Sequence, residues 1–340
     1  MLFNLWRKRM RYARRLAIHT FAVLGICSTT AWAELGVQDF RGSSLSITHA
    51  VSYGTIDRSL DQTYNPFFGT TVSIAPRYWI SPQLFVAGGL SIDREWTERD
   101  DGTYGDETRL SDLTLRIGSL IHRWDFGLLS FIGAGVRLPT SLASQARTLN
   151  STYNGVIALI QSLGSWGSLS YSFNAAFNHV RYTTGENETP RIRGCASDPI
   201  GCGSYVNTGV RNAKWVTTHS FSFNWFPLSW LFVSSSISLI ESYLFPRGVD
   251  DSSISYLAQE TTNKRYLISY SSEVDFQPLS WLVVALMVDT TNPQLAPNST
   301  YYDPFFNRNT SFMLDLRFTL GVFRVAQSDD SSKKKSEKKK

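Results

Sequence analysis

The chain has 340 residues, of which 42% are hydrophobic and 14% aromatic, and its formal net charge is +5. The positive charge lies at the two ends, because residues 34–328 contain 21 Lys and Arg against 25 Asp and Glu. Since this central part is slightly acidic, the composition gives no support for nucleic-acid binding, and we expect no nucleic acid as a partner.

The first segment has the composition of an export signal. Residues 1–15 carry six cations and no acid, an apolar run follows over 16–27, and Ala31-Trp32-Ala33 comes next. A basic region, a short apolar region and an A-x-A site are typical of a secretory signal peptide. About 12 apolar residues are too few for a membrane-spanning helix. We predict a signal peptide over 1–33, cleaved after Ala33, and an N-terminal periplasmic lead over 34–44.

Beyond this lead the dominant pattern is alternation. In the last such segment Phe312, Leu314 and Leu316 alternate with Met313, Asp315 and Arg317. A period of two indicates strands with one apolar and one polar face. We predict about twelve strands, near 45–57, 69–80, 83–96, 109–122, 126–138, 152–163, 167–182, 214–226, 230–244, 264–276, 281–290 and 310–323.

The connections between these strands alternate in length. Short turns are predicted at 81–82, 123–125, 164–166, 227–229 and 277–280. Long polar loops are predicted at 58–68, 97–108, 139–151, 183–213, 245–263 and 291–309. Five short turns and six long loops in strict alternation predict an all-β, antiparallel up-and-down meander with an even number of strands.

Tryptophan distinguishes a membrane barrel from a soluble sandwich. Six Trp flank the short turns (Trp79, Trp124, Trp166, Trp225, Trp230, Trp281), and Trp96 and Trp215 lie at the loop ends of their strands. Two levels of Trp are typical of the aromatic girdles of a transmembrane β-barrel. The repeated sequences NWFPLSWLFV and DFQPLSWLVV are then short turns, in which Pro and Ser reverse the chain at the membrane surface.

Over 45–323 these features resemble the bacterial outer-membrane β-barrel class, in its porin-like form, and no motif indicates a particular family. The resemblance implies the bacterial outer membrane, periplasmic short turns and extracellular long loops. The implied partners are outer-membrane lipid, lipopolysaccharide and the barrel-assembly machinery. The last strand ends in Phe323, like the assembly signal of that class, but a Lys-rich tail over 324–340 follows it. This tail is predicted to be disordered and periplasmic, either as a solvated appendage or docked on anionic cell wall.

Alternation also predicts which charges line the lumen. The predicted inward-facing set is Arg77, Asp93, Glu95, Asp112, Arg116, Arg137, Arg265, Glu273, Asp275, Asp289, Asp315 and Arg317. Twelve strands lie between barrels that side chains fill and barrels that leave open water. We therefore expect a narrow channel or small-solute transporter with an ion-paired, mixed-charge lumen. The alternative is a structural or surface-interaction barrel with a closed lumen.

The remaining chemistry favours a protein that is not an enzyme. Cys195 and Cys202 lie in one loop and are expected to form a disulfide, because exported proteins meet oxidising surroundings. No metal or cofactor is expected. An outer-membrane lipid-modifying enzyme would place a Ser and a His on the lipid-facing side, most simply two residues apart on a strand, and no mature His has a Ser at that spacing. His179 and His219, expected to come close across the longest loop, form the one suspicious pair.

A second repeat concerns aromatics at the outer mouth. Tyr64, Phe67 and Phe68 end the first long loop in YNPFF, and Tyr302, Phe305 and Phe306 end the sixth in YDPFF. If the last strand closes on the first, the two loops are neighbours. They are either outer-girdle anchors or an aromatic mouth that captures apolar or sugar-like ligands. The direction of the rings, toward lipid or toward the pore axis, decides between the two.

Overall fold

A computed structural model describes residues 37–57, 66–97, 108–188, 205–246, 263–293, 301–303 and 305–320. Twelve spans form one closed antiparallel β-barrel, which confirms the predicted fold class. Among the residues described, no helix is both long and apolar enough to cross a membrane.

The strands agree with the predicted segments to within a few residues at most ends. They are β1 (Ser43–Ser52), β2 (Phe68–Ala75), β3 (Arg77–Trp79), β4 (Leu84–Glu95), β5 (Thr108–Leu110), β6 (Leu113–Arg123), β7 (Leu128–Leu138), β8 (Leu149–Ser162), β9 (Gly167–Val180), β10 (Thr184–Glu188), β11 (Tyr205–Arg211), β12 (Ala213–Leu228), β13 (Leu231–Leu244), β14 (Lys264–Leu279), β15 (Leu282–Pro293) and β16 (Thr310–Leu320).

The barrel closes by pairing its first strand with its last. Strand β1 pairs antiparallel with β2 on one side and with β16 on the other, in a register that sets Thr48 opposite Asp315. Every other span pairs with its neighbours in chain order. Closure satisfies the backbone groups that an open sheet edge would expose to lipid.

Two of the twelve spans are interrupted. Pro76 separates β2 from β3, because proline has no N–H to donate to a ladder. Ser111 and Asp112 separate β5 from β6. At this second break the Ser91 N–H donates to the Ser111 hydroxyl instead of to a backbone carbonyl.

The long loops contain structure that the sequence pattern did not predict. The predicted first strand, 45–57, ends at Ser52 and continues as a single helical turn, α1 (Tyr53–Ile56). The third predicted long loop, 139–151, contains α2 (Leu142–Ala146), whose N-cap Ser141 accepts from the Ser144 N–H. Strands β10 and β11 pair as a separate hairpin inside the longest loop.

The exterior is apolar, as a lipid-facing surface requires. Residues such as Ile117, Ile157, Phe221, Ile237 and Leu286 are large, hydrophobic and 46–54% exposed. In a water-soluble protein so many exposed apolar side chains would form an aggregating patch. The polar residues that alternate with them point to the barrel interior.

Candidate functional site: the barrel lumen

The strand register fixes which side chains face the lumen. Leu314 and Leu286 are exposed on the lipid side. Because successive residues of a strand point to opposite faces, Asp315 and Asp289, at odd-numbered offsets from these leucines, face inward. By the same register all the charges proposed for the lumen in β3, β4, β6, β7 and β14–β16 lie on the inward face. Asp112 lies in the break between β5 and β6.

One arginine gathers three of these acids. Arg317 Nη2 lies 3.0 Å from Glu273 Oε1 and 3.0 Å from Asp315 Oδ2, and Arg317 Nη1 lies 3.8 Å from Asp275 Oδ2. The Thr48 hydroxyl donates to the other oxygen of Asp315 at 2.8 Å. Three carboxylates around one guanidinium leave this part of the wall acidic.

A small residue makes this cluster possible. Ala285 lies between Asp275 and Asp315 in the register, and it is fully buried. Because its methyl group is short, the Arg317 side chain reaches across β15 to the acids of β14. A larger side chain at position 285 would occupy space between Asp275 and Asp315.

A second ion pair lies nearer the outer end of the lumen. Asp93 accepts from the Thr71 hydroxyl at 2.7 Å, and its register partner is Arg109. Arg109 also lies 3.6 Å from buried Glu95. The sequence pattern missed Arg109, because the break at 111–112 shifts the inward phase of the span by one residue.

Three arginines lie on the inward face of β3, β6 and β7. Arg77 and Arg116 both lie opposite Ala87 in the register, and Arg137 is two residues beyond Gly135, the partner of Arg116. Both Arg116 and Arg137 face inward and yet are exposed. Inward-facing side chains that remain exposed indicate that water reaches the lumen at this level.

Between the charged walls lies a neutral one. The inward faces of β9, β12 and β13 carry small hydroxyl and amide residues: Ser168, Ser170, Ser172, Asn174, Ser220, Ser222, Asn224, Ser234, Ser236 and Ser238. Some of these hydroxyls bond one another, as Ser220 and Ser238 do at 2.7 Å. This wall offers hydrogen bonds without charge.

The position of Trp79 is a correction to the girdle prediction. Trp79 pairs with inward Phe85, is only 8% exposed, and donates from Nε1 to the Arg41 carbonyl at 2.9 Å. Its ring centroid lies 5.0 Å from that of Phe85, which stacks at 6.0 Å on Phe131. These three rings form an aromatic cluster inside the periplasmic end of the barrel. The prediction failed because Trp was assigned to the lipid face by type, whereas the register decides the face.

Gly118 provides the space for this cluster. A Cβ at this position would lie 2.6 Å from Phe85 Cζ and 2.7 Å from Phe131 Cζ. The two rings can therefore meet over β6 only because residue 118 has no side chain. The remaining girdle Trp agree with the prediction: Trp166 and Trp281, for example, are 52% and 50% exposed.

The fold keeps His179 and His219 apart. His219 pairs with Phe173, and Trp215 pairs with Phe177, so His179 lies six residues farther along β9 than the partner of His219. At about 3.3 Å per residue this is a separation of roughly 20 Å. His219 Nδ1 instead hydrogen-bonds the Tyr171 hydroxyl at 2.9 Å. Within the residues described, no group of three or more His, Cys, Asp or Glu could hold a metal ion.

The outer-mouth aromatics divide between the two faces. Phe68 stacks on outward His49, Phe305 packs edge-on against Tyr270 at 4.9 Å, and Phe306 stacks on Phe312 at 6.4 Å, all on the outer surface. The Phe67 ring instead lies on the inward side, because a Cβ added to inward Gly69 would come within 2.8 Å of Phe67 Cζ. Tyr302 has intermediate exposure. Tyr64, Cys195 and Cys202 lie outside the described residues, so the disulfide stays a prediction.

The Asp of YDPFF stabilises a turn in the sixth long loop. Asp303 Oδ1 accepts from the Phe305 and Phe306 N–H groups, both at 2.9 Å. Asn307 then donates to the Asp303 carbonyl, and buried Thr310 donates to the Phe305 carbonyl at 3.0 Å. The turn folds the loop back over the outer face of β14–β16, which places both Phe rings against the barrel.

This turn should depend on pH. The Phe306 and Phe305 N–H groups hold the pKa of the Asp303 carboxyl below its ordinary value. A carboxyl with a lowered pKa in the folded state contributes stability that is present above its unfolded pKa of about 3.9 and is lost as pH falls through the folded value. We expect the protection of the 305–310 amides against hydrogen exchange, measured by mass spectrometry relative to the intrinsic exchange rate at each pH, to fall below about pH 4. Asp303→Ala should lower this protection at neutral pH, and Asp303→Asn, which keeps an acceptor oxygen, should not. Equal exchange in both variants would contradict this role.

Comparison with known proteins gives likenesses of fold. No protein-family profile and no curated protein sequence matches the chain. An outer membrane channel from Pseudomonas putida F1 superposes with a TM-score of 0.49 at 9% identity, over 83% of this chain and 98% of that one. The NanC porin gives 0.45 at 8% identity, over 81% and 98%. LpxR from Salmonella typhimurium gives 0.39 at 9% identity, over 81% and 99%.

The assignment to a membrane rests on the barrel itself. Its strands are closed, its exterior is apolar, and exposed Trp flank the short turns and the outer strand ends. A closed antiparallel barrel with these features is the architecture of bacterial outer-membrane proteins. The chain is therefore a twelve-span β-barrel of the bacterial outer membrane.

Proposed function

We propose that the protein is a narrow channel for small polar solutes. The observation that carries this proposal is the exposure of Arg116 and Arg137, which face inward and still contact water. A lumen filled by its own side chains would bury such residues or pair them with acids.

Charges of opposite sign lie across this lumen from one another. In a closed ring of twelve spans β6 is the fourth and β14 the tenth, so the two are diametrically opposed. The wall of Arg116 therefore faces the wall of Glu273 and Asp275. Because both signs line the same passage, net charge selectivity should be weak, and the field across the passage should orient polar solutes.

A second candidate is a structural or surface-interaction barrel with a closed lumen. The aromatic cluster of Trp79, Phe85 and Phe131 favours it, because three rings occupy the inward face near the periplasmic end. In the channel this cluster is a constriction, and in the structural barrel it is part of a seal.

Single-channel recording of the refolded protein in planar lipid bilayers separates the two candidates. The channel proposal expects discrete steps of low conductance and a reversal potential close to zero in a KCl gradient. A wild-type protein that inserts, is heat-modifiable on gels and passes no current would support the closed barrel.

A further inference from the structure

The chain just before β1, residues 37–41, folds back over the periplasmic rim of the barrel at β3. In this lead segment Phe40 packs against Tyr78 at a ring-centroid distance of 5.3 Å, and Tyr78 is an outward residue that is 40% exposed. Arg41 instead lies over the ring of Trp79, which faces the lumen. The lead segment therefore has side chains on both sides of the rim.

Arg41 extends the aromatic cluster of Trp79, Phe85 and Phe131 toward the periplasm. Its guanidinium carbon lies 4.2 Å from the centroid of the Trp79 ring. Arg41 Nη2 donates to the Pro82 carbonyl in the short turn at 3.4 Å, and Trp79 Nε1 donates to the Arg41 carbonyl at 2.9 Å. Part of the narrowing at this end of the lumen is thus a segment that does not belong to the barrel wall.

A hinge separates the lead segment from the wall. Gly42 has a φ of 80°, in the left-handed region that glycine adopts without steric cost. The next residue, Ser43, is only 7% exposed, and its hydroxyl accepts from the Arg77 N–H at 2.9 Å and donates to the Arg77 carbonyl at 3.0 Å. The wall is therefore fixed from Ser43 onward, and a rotation at Gly42 would move the lead segment alone.

The contacts between Arg41 and Trp79 are of a strength that permits reversible opening. A cation–π contact at a partly exposed site or a single hydrogen bond changes a local equilibrium by a factor of about 2–30. Among the residues that the structure describes, no carboxylate forms a salt bridge with Arg41. The guanidinium is therefore held by the ring and the turn, without an ion pair that would make its release costly.

We propose that the lead segment is a gate at the periplasmic end of the lumen, latched by Arg41 on Trp79. In the closed state the Arg41 side chain and the Trp79 ring stand together in the passage. In the open state the lead segment swings away about Gly42 and leaves the Trp79 ring in contact with water. This proposal rests on the channel function, since only a lumen that conducts can be gated.

The latch can be measured at the Trp79 indole N–H, because that group donates to the Arg41 carbonyl only while the lead segment is in place. Arg41→Met removes the cation and keeps an unbranched side chain. In the full-length refolded protein its indole N–H exchange, followed by NMR and assigned with Trp79→Phe, should accelerate by a factor of about 2–30, the range of a cation–π contact. In single-channel recordings the ratio of closed to open time should fall by a similar factor.

Two variants serve as controls. Arg41→Lys keeps a cation but not the guanidinium fork, so its exchange rate should lie between those of wild type and Arg41→Met. Arg123→Met removes an exposed cation beside another short turn, one that stacks on no ring in the described part of the chain, and it should change neither readout. The Trp166 indole N–H, which belongs to the lipid-facing girdle, should exchange at the same rate in every variant.

The two readouts separate the gate from the channel function. If the Trp79 indole N–H exchanges at the wild-type rate in Arg41→Met, or equally fast in Arg123→Met, the latch is overturned. If it exchanges faster but a conducting protein closes as often as before, the lead segment is not a gate and the channel function stands. If neither wild type nor Arg41→Met passes current, both proposals fail, whereas a silent wild type that conducts as Arg41→Met supports both.

Discussion

Replacing Arg317 with Met is expected to destabilise the barrel and to shift its selectivity toward cations. The change leaves Glu273, Asp275 and Asp315 close together with no guanidinium between them. Breaking a buried ion pair costs about 3–5 kcal/mol, and since Arg317 is 31% exposed we expect roughly 2–3 kcal/mol. Urea unfolding in lipid vesicles measures the stability, and the reversal potential in a KCl gradient measures the selectivity.

Two further variants show whether the guanidinium itself is responsible. Arg317→Lys keeps the charge but not the fork, so it should restore selectivity more fully than stability. Arg116→Met removes an inward arginine that has no salt bridge to a described residue, and its free energy of unfolding should change by less than about 0.5 kcal/mol. If Arg317→Met and Arg116→Met unfold at the same urea concentration, the acid cluster does not depend on Arg317.

The barrel was predictable because a lipid-facing surface imposes a strict pattern. Each strand must present apolar residues at every second position, and short turns must alternate with long loops. Leu314 and Asp315 therefore fall on opposite faces by sequence position alone, and the register agrees. The neighbouring relation of the first and last strands follows equally from closure.

The features that the pattern missed lie where that periodicity breaks or where residue type misleads. The irregular residues at 111–112 change the phase of their span, so Arg109 faces inward against expectation. Trp79 is a tryptophan beside a short turn, yet the register with Phe85 turns it into the lumen. The position of Ala285 between Asp275 and Asp315 was equally hidden, since only the pairing of β15 with both neighbours shows it.

Replacing Trp79 with Ala should give the second large effect, a loss of stability together with a gain of conductance. The side chain is 8% exposed, the Arg41 guanidinium lies 4.2 Å above its ring, and its indole N–H donates to the Arg41 carbonyl. Truncating a buried Trp to Ala costs about 3–5 kcal/mol. The cavity left behind lies on the inward face, so it should widen the periplasmic end of the lumen. Urea unfolding and single-channel recording measure the two effects.

The control is a tryptophan of the same type in the lipid-facing girdle. Trp166 is 52% exposed and contacts Phe223 at a centroid distance of 6.3 Å, so Trp166→Ala should cost on the order of 1 kcal/mol and leave the conductance unchanged. A channel in which both variants conduct like the wild type would show that the aromatic cluster does not limit the passage. If the Trp79→Ala variant also passes no current, the closed, structural alternative is favoured, because widening the periplasmic end of the lumen would then not have opened a passage.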